Sequence, residues 1–177
     1  MGFLGDAGER GDLNRIRMMT TAYLCHDDHM LLMQRSPERE FLPGVWSGVG
    51  GHVECHEFGD LRAACLREIS EEAGLGEDDI DRLTLRYVLL RQRRDELRQQ
   101  FIFFAIAKTT TTRTTEEGVL HWVLSQDVLS RPMTDSNRMM LAHYFAEGPQ
   151  DLIMVGVLSG GPASAQIRWT PVSDWEA

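Results

Sequence analysis

Three glutamates within five residues constrain this chain more than any other feature. Glu68, Glu71 and Glu72 stand at i, i+3 and i+4, a spacing that on an α-helix places three carboxylates on one face over a single turn. The neighbouring residues ask for that helix. Leu61, Cys65, Ile69 and Ala73 recur every four positions as an apolar stripe, Asp60 precedes them as an N-cap, and Gly74 follows as a stop. At roughly 100° per residue the carboxylates fall beside the stripe, at the rim of whatever the helix packs on. Like charges so placed repel by roughly 0.2–0.5 kcal/mol for each close pair. A solvated acidic face tolerates that repulsion. A hard divalent cation reverses its sign, because Mg²⁺ takes carboxylate oxygens together with water and substrate phosphates.

The stretch Gly50–Leu75, GGHVECHEFGDLRAACLREISEEAGL, closely resembles the Nudix box: Gly, five residues, Glu, seven residues, then Arg-Glu-apolar-any-Glu-Glu-any-Gly-apolar. Gly51 and Glu57 take the first two positions, and Arg67 to Leu75 fits at each specified one. Nine residues separate Glu57 from Arg67 where the box has seven. The extra pair falls near Phe58–Gly59, in the loop before Asp60, and leaves the carboxylate turn intact. The departure bears on Glu57, which in the family pairs with the box arginine, here Arg67.

The resemblance covers roughly residues 15–147 and implies the following. Glu68, Glu71 and Glu72 hold Mg²⁺ (Mn²⁺ also serves), the carbonyl of Gly51 completes the coordination, and Glu117 or Glu116 adds a further carboxylate. Glu68 is the first choice for the base that accepts a proton from the attacking water, with Glu71 second. Arg67 orients the loop, and Gly51, Glu57 and Gly74 are structural positions of the box. Arg35, Trp46, Ser47 and Gly50 belong to the substrate side. Strands before and after a central helix, with a second helix late, give an α/β fold: an α/β/α sandwich on a mixed sheet.

The substrate implied is a nucleoside diphosphate linked to another group. LLMQRS and GVWSGVGGHVE resemble the branch that acts on oxidised purine nucleoside triphosphates, releasing the monophosphate and pyrophosphate. Members that read the oxidised base often carry Asn after the Trp; here it is Ser47, a single hydroxyl in place of an amide's donor and acceptor. Asp135 either faces a base or caps its helix. A nucleoside triphosphate pyrophosphohydrolase is the leading reading and an ADP-ribose or nucleotide-sugar pyrophosphatase the alternative. A binding module that keeps the fold without the chemistry is disfavoured, since such modules usually lose box carboxylates and all three are present.

The 177 residues, 42% hydrophobic and 25% charged, suit one domain over 15–177, with a core to about 147 and an extension over 148–177. Residues 1–14 read as a flexible lead-in without the design of a signal peptide. A net charge of −9 argues against a nucleic-acid surface built on a basic patch. Cys25, Cys55 and Cys65, an odd count with no CxxC, suit neither a disulfide framework nor a zinc module and fit a reducing cytoplasm. No apolar run approaches the ~18 residues of a membrane span.

Along the chain, Arg15–Cys25 and Met30–Gln34 read as strands around the turn His26–His29. Leu83–Arg91 and Gln100–Lys108 read as two more. The link between them carries Arg91, Arg93, Arg94 and Arg98 and is either a solvated turn or a lip that attracts phosphates or a partner subunit. Thr109–Thr115 reads as a mobile polar loop, and Pro132–Glu147 as a helix capped by Thr134 or Asp135. Asp151–Ser159 and Ala165–Thr170 form an added strand pair that either extends the sheet or makes a homodimer contact; the residues leave both open.

Overall fold

The computed structural model describes residues 15–38, 42–113, 115–148, 151–161 and 163–173. The expected lead-in over 1–14 lies outside them. One sheet holds the described chain together. Its strands are β1 (Arg15–His26), β2 (His29–Arg35), β3 (Trp46–Ser47), β4 (Ile80–Arg93), β5 (Glu96–Ala107), β6 (Gly118–Leu124), β7 (Met154–Ser159) and β8 (Gln166–Pro171). They lie in the order β3-β2-β1-β5-β4-β7-β8, with β6 also paired to β2. β1 runs parallel to β5 and β4 to β7; the other pairings are antiparallel.

Two helices cover the two faces. β1 explains how, because its side chains alternate and both sets are apolar. Ala22 and Leu24 face α1 (Leu61–Ala73) and pack with its Cys65, Ile69 and Ala73. Tyr23 faces the other way, into a core shared with Met140 and Leu141 of α2 (Asp135–Glu147). All eight of these side chains are at most 1% exposed, and each of the large apolar ones contributes on the order of 1–3 kcal/mol by leaving water. The result is the expected α/β/α sandwich on a mixed sheet.

Local signals set the ends of α1. Asp60 accepts a hydrogen bond from the Ala63 N–H at 2.9 Å. Gly74 closes the helix at φ 73°, a left-handed conformation that costs glycine nothing. Arg113, from the threonine-rich loop, lies over Gly74 and donates to the carbonyls of Ser70 and Glu71 at 2.9 and 2.8 Å. The Trp122 indole donates to the Thr110 carbonyl at 3.0 Å. The described part of this loop is therefore tied down rather than mobile, because it caps the helix that carries the carboxylates.

Two elements differ from the sequence expectation in ways that matter for the site. β4 and β5 run further than the apolar pattern suggests and meet at Arg94–Asp95, with Arg94 at φ 55°. Arg91, Arg93 and Arg98 consequently stand on paired strands, not in a solvated link. The C-terminal strand pair extends the sheet, with β7 beside β4 over Tyr87–Leu90.

Candidate active site

The site forms where the segment before α1 crosses β1. The Thr20 N–H donates to the Gly51 carbonyl at 2.9 Å and the Ala22 N–H to the Val49 carbonyl at 2.7 Å. Between them Gly50 adopts φ 147°, and a Cβ there would stand 2.3 Å from the Thr20 carbonyl oxygen. No other residue allows the backbones so close. This approach aims the Gly50 N–H at α1, where it donates to Glu72 Oε2 at 2.7 Å. Glu68 takes the space beside Gly51: a Cβ on Gly51 would meet its carboxylate oxygens at 2.6 and 2.7 Å.

Arg67 gathers the rest. Its Nε and Nη2 donate to both oxygens of Glu57, at 2.7 and 3.0 Å, in the two-pronged geometry that guanidinium and carboxylate share. Nη2 also reaches the His52 carbonyl at 3.0 Å, and Nη1 donates to Glu68 and Glu71 at 3.0 and 2.9 Å. Glu57 thus meets Arg67 despite the two extra residues. These sit at the surface, with Phe58 55% exposed and open space around Gly59.

Burial and charge set the acids apart. Hydrogen bonding from Arg67, working against burial, holds Glu57 down to about 2, and the Glu54 N–H helps at 2.9 Å. Glu72 is pushed up to about 7. Burial is the main cause, opposed by the Gly50 N–H and reinforced by the negative charges of Glu68 and Glu117. Burial also raises Glu68, against the pull of Arg67. Glu68 and Glu72 are 9% and 8% exposed, whereas the Glu71 side chain is largely solvated.

A cleft of about 390 Å³ adjoins this turn and is lined by Arg35, Ser47, Gly48 and Gly50 on one side and by Arg91 and Asn137 on the other. Arg35 acts electrostatically on Glu72 in the direction opposite to Glu117, so both expected residues lie within charge range of the carboxylate turn. Trp46, expected at the substrate, is instead 8% exposed in the α2-side core. Arg131 lies 5.0 Å over its ring and His121 is 4.8 Å from it. Strand alternation accounts for this: in β3 Trp46 points in and Ser47 points to the cleft. Thr134, not Asp135, caps α2. Gln100 and Asn137, both on the cleft, are absent from the sequence reading. A glutamine in an otherwise apolar strand was the signal for the first.

A family model of the NUDIX domain matches residues 16–144, well over half of the chain. The chain belongs to the NUDIX family. NUDIX proteins are hydrolases of nucleoside diphosphate derivatives that use divalent metal ions, and this chain is an enzyme of that kind. Its fold is similar to that of the mutator MutT protein from Bacillus halodurans, at 20% identity and a TM-score of 0.70, over 86% of this chain and 97% of that one. It is similar to a MutT NUDIX hydrolase from Burkholderia pseudomallei at 26% identity and 0.60, over 72% and 96%. An Ap4A hydrolase from C. elegans matches at 17% identity and 0.60, over 74% and 96%. No curated protein sequence matches the chain. Among the described residues no helix is long and apolar enough to cross a membrane.

The donors suit the metal such a NUDIX enzyme uses. Among the described residues no three His, Cys, Asp or Glu side chains already converge as a metal shell; Arg67 draws Glu68 and Glu71 onto its own guanidinium. The chemistry of the set nevertheless fits a hard dication. Two nearly buried carboxylates on adjacent turns have their ionised forms disfavoured by burial and by neighbouring carboxylates, and a nearby positive charge reverses both effects.

Proposed function

We propose that this NUDIX enzyme is a Mg²⁺-dependent nucleoside triphosphate pyrophosphohydrolase, releasing a nucleoside monophosphate and pyrophosphate; Mn²⁺ substitutes for Mg²⁺. The observation that carries this reading is the pair Glu68 and Glu72, buried against Gly51 and Gly50 at the end of an arginine-lined cleft. Glu68, Glu71 and Glu72 would hold the metal, with Glu117 and the second lone pair of the Gly51 carbonyl as further donors. When bound, the cation neutralises diphosphate charge and acidifies a water for attack at phosphorus.

The protein supplies the rest by positioning and charge. Glu68 accepts the proton of the attacking water, and Glu71 is the second choice for that part. Arg67 locks Glu57, the His52 carbonyl and the carboxylate turn into one unit. Gly50 fixes Glu72 through its N–H. Arg35 and Ser47 face the substrate's phosphates and nucleoside. Phosphoryl chemistry of this kind draws nearly all its acceleration from placement and electrostatics.

The test is a hydrolysis screen with and without Mg²⁺ over nucleoside triphosphates, oxidised purine triphosphates, ADP-ribose and nucleotide sugars, with products identified. Pyrophosphate and monophosphate from the triphosphates are expected. Cleavage confined to ADP-ribose or nucleotide sugars would overturn the triphosphate assignment, and binding without any metal-dependent hydrolysis would overturn the catalytic one.

A further inference from the structure

Beyond the carboxylate turn the same cleft is lined by Arg91 and Arg98, part of a row of arginines that Arg17 continues outside it. The strand registers align Arg17 of β1 with Arg98 of β5, and Arg98 with Arg91 of β4. Three guanidiniums therefore stand side by side across three adjacent strands. Like charges directly opposed in a sheet destabilise it, so such a row needs an acid to balance it. Glu96 is the acid bonded to it. It accepts from Arg17 Nε at 2.7 Å and from Arg98 Nε, and this satisfies two of the three.

Arg91 is the remainder. Among the described residues its one hydrogen bond is a long contact of 3.3 Å to Ser136 Oγ, and its buried Nε meets no partner there. Burial and the neighbouring Arg98 and Arg93 all disfavour its charge. One same-face step along β5 from Arg98, Gln100 is 7% exposed; its Nε2 donates to Thr21 and its Oε1 is buried without a partner. A donor and an acceptor left unpaired just beneath the cleft wall are a cost to the free protein, and a ligand that draws either side chain towards the cleft removes it. The N-terminus of α2, capped by Thr134 beside Asn137, adds its positive end to the same wall.

We propose that the arginine row binds a second phosphate, carried on the nucleoside's sugar away from the scissile diphosphate, with Arg91 as its main donor and Gln100 accepting from a sugar hydroxyl. A guanidinium fork matches phosphate, and three of them balanced by one carboxylate favour a dianion over a neutral base. The cleft joins Gly50, which holds Glu72, to Arg91 and Arg98, and its volume of about 390 Å³ is of the size that holds a nucleoside. The inference rests on the proposed function in that both place one nucleotide in this cleft. It narrows the substrate class to nucleotides with an additional sugar phosphate.

The test is a calorimetric titration of the metal-free protein with adenosine 5′-monophosphate, adenosine 2′,5′-bisphosphate and adenosine 3′,5′-bisphosphate. One bisphosphate is expected to bind at least about tenfold more tightly than the monophosphate, an advantage that weakens with salt. Arg91→Met should shrink the gap to about twofold or less. Arg91→Lys, which keeps charge and stem, should retain part of it and serves if the methionine variant does not fold. Equal binding of mono- and bisphosphates by the wild type, or a gap that survives Arg91→Met, overturns the inference. Because no metal is present, preferential bisphosphate binding by a protein that hydrolyses nothing would uphold this site and defeat the proposed function; the reverse pattern would do the opposite.

Discussion

Two charge clusters with inverted stoichiometry meet one cleft, the first through Gly50 and the second through Arg91 and Arg98. In the first, a single guanidinium, Arg67, serves Glu57, Glu68 and Glu71, with Glu72 beside them on the Gly50 N–H. In the second, a single carboxylate, Glu96, serves Arg17 and Arg98, with Arg91 beside them. The first leaves negative charge to spare and the second positive. Each surplus is held against burial: Glu72 is pushed up to about 7 and Arg91 is lowered. A fold seeking only stability would balance each cluster internally, since a buried charge without its partner costs several kcal/mol. Opposite surpluses at the two ends of a cleft are what the two proposals above would balance: a cation at one end and an anion at the other.

The clusters also differ in how they are made, and mutation separates them. The carboxylate cluster hangs on one residue. Arg67→Met strips Glu57 of its charged partner, leaving it the Glu54 N–H and 7% exposed, and unfolding titrations should show a loss of about 3 kcal/mol, the low end for one-sided removal of a buried pair. Wild-type stability in that variant would mean that Arg67 does not hold the cluster together. Glu72→Gln keeps an acceptor for the Gly50 N–H but removes the charge. Turnover at saturating Mg²⁺ is expected to fall at least about a hundredfold, roughly 2.7 kcal/mol in the barrier, with the melting temperature unchanged or raised. A near-normal rate would sink the metal assignment. Gly51→Ala sets a Cβ 2.6–2.8 Å from the Glu68 carboxylate and must displace it. A loss of about tenfold in kcat is expected, with little change in KM for a side chain that acts on the reacting water. A change confined to KM would move Glu68 from catalysis to binding.

The first cluster was legible in the sequence because its geometry is local. Arg67, Glu68, Glu71 and Glu72 share one turn, and a helix phase follows from spacing alone. Asp60 and Gly74 announced the helix ends for the same reason. Even the two-residue departure near Phe58–Gly59 could be placed, since an insertion in a loop does not rotate the helix after it. The second cluster was legible only in part: Arg91 and Arg98 were visible as a basic link that could attract phosphates, but their alignment with Arg17 and Glu96 exists only through register. Arg17 and Arg98 are far apart in the chain, and Arg91 meets Arg98 because the β4–β5 turn closes at Arg94–Asp95. A slip of one residue would send Arg91 to the opposite face. Trp46 failed in between: its position beside the cleft was visible, but which way a two-residue strand points is decided by the core it joins.

The smallest effect tests whether the two surpluses are independent. Arg98 and Arg17 hold Glu96 down to about 2. A carboxylate depressed on folding stabilises the native state above its unfolded value of about 4.3, and that contribution is lost as pH falls from there towards 2. Glu96→Gln removes the titrating group, so its stability should fall less steeply than that of the wild type between about pH 4.5 and 2 when followed by acid unfolding. At neutral pH the same substitution leaves three aligned guanidiniums with no carboxylate, which should tighten phosphate binding at the row by a few-fold while metal-dependent turnover at the other end of the cleft stays within about twofold. If turnover instead collapses with Glu96, the two clusters are one electrostatic unit, and the division of the cleft into a cation end and an anion end is wrong.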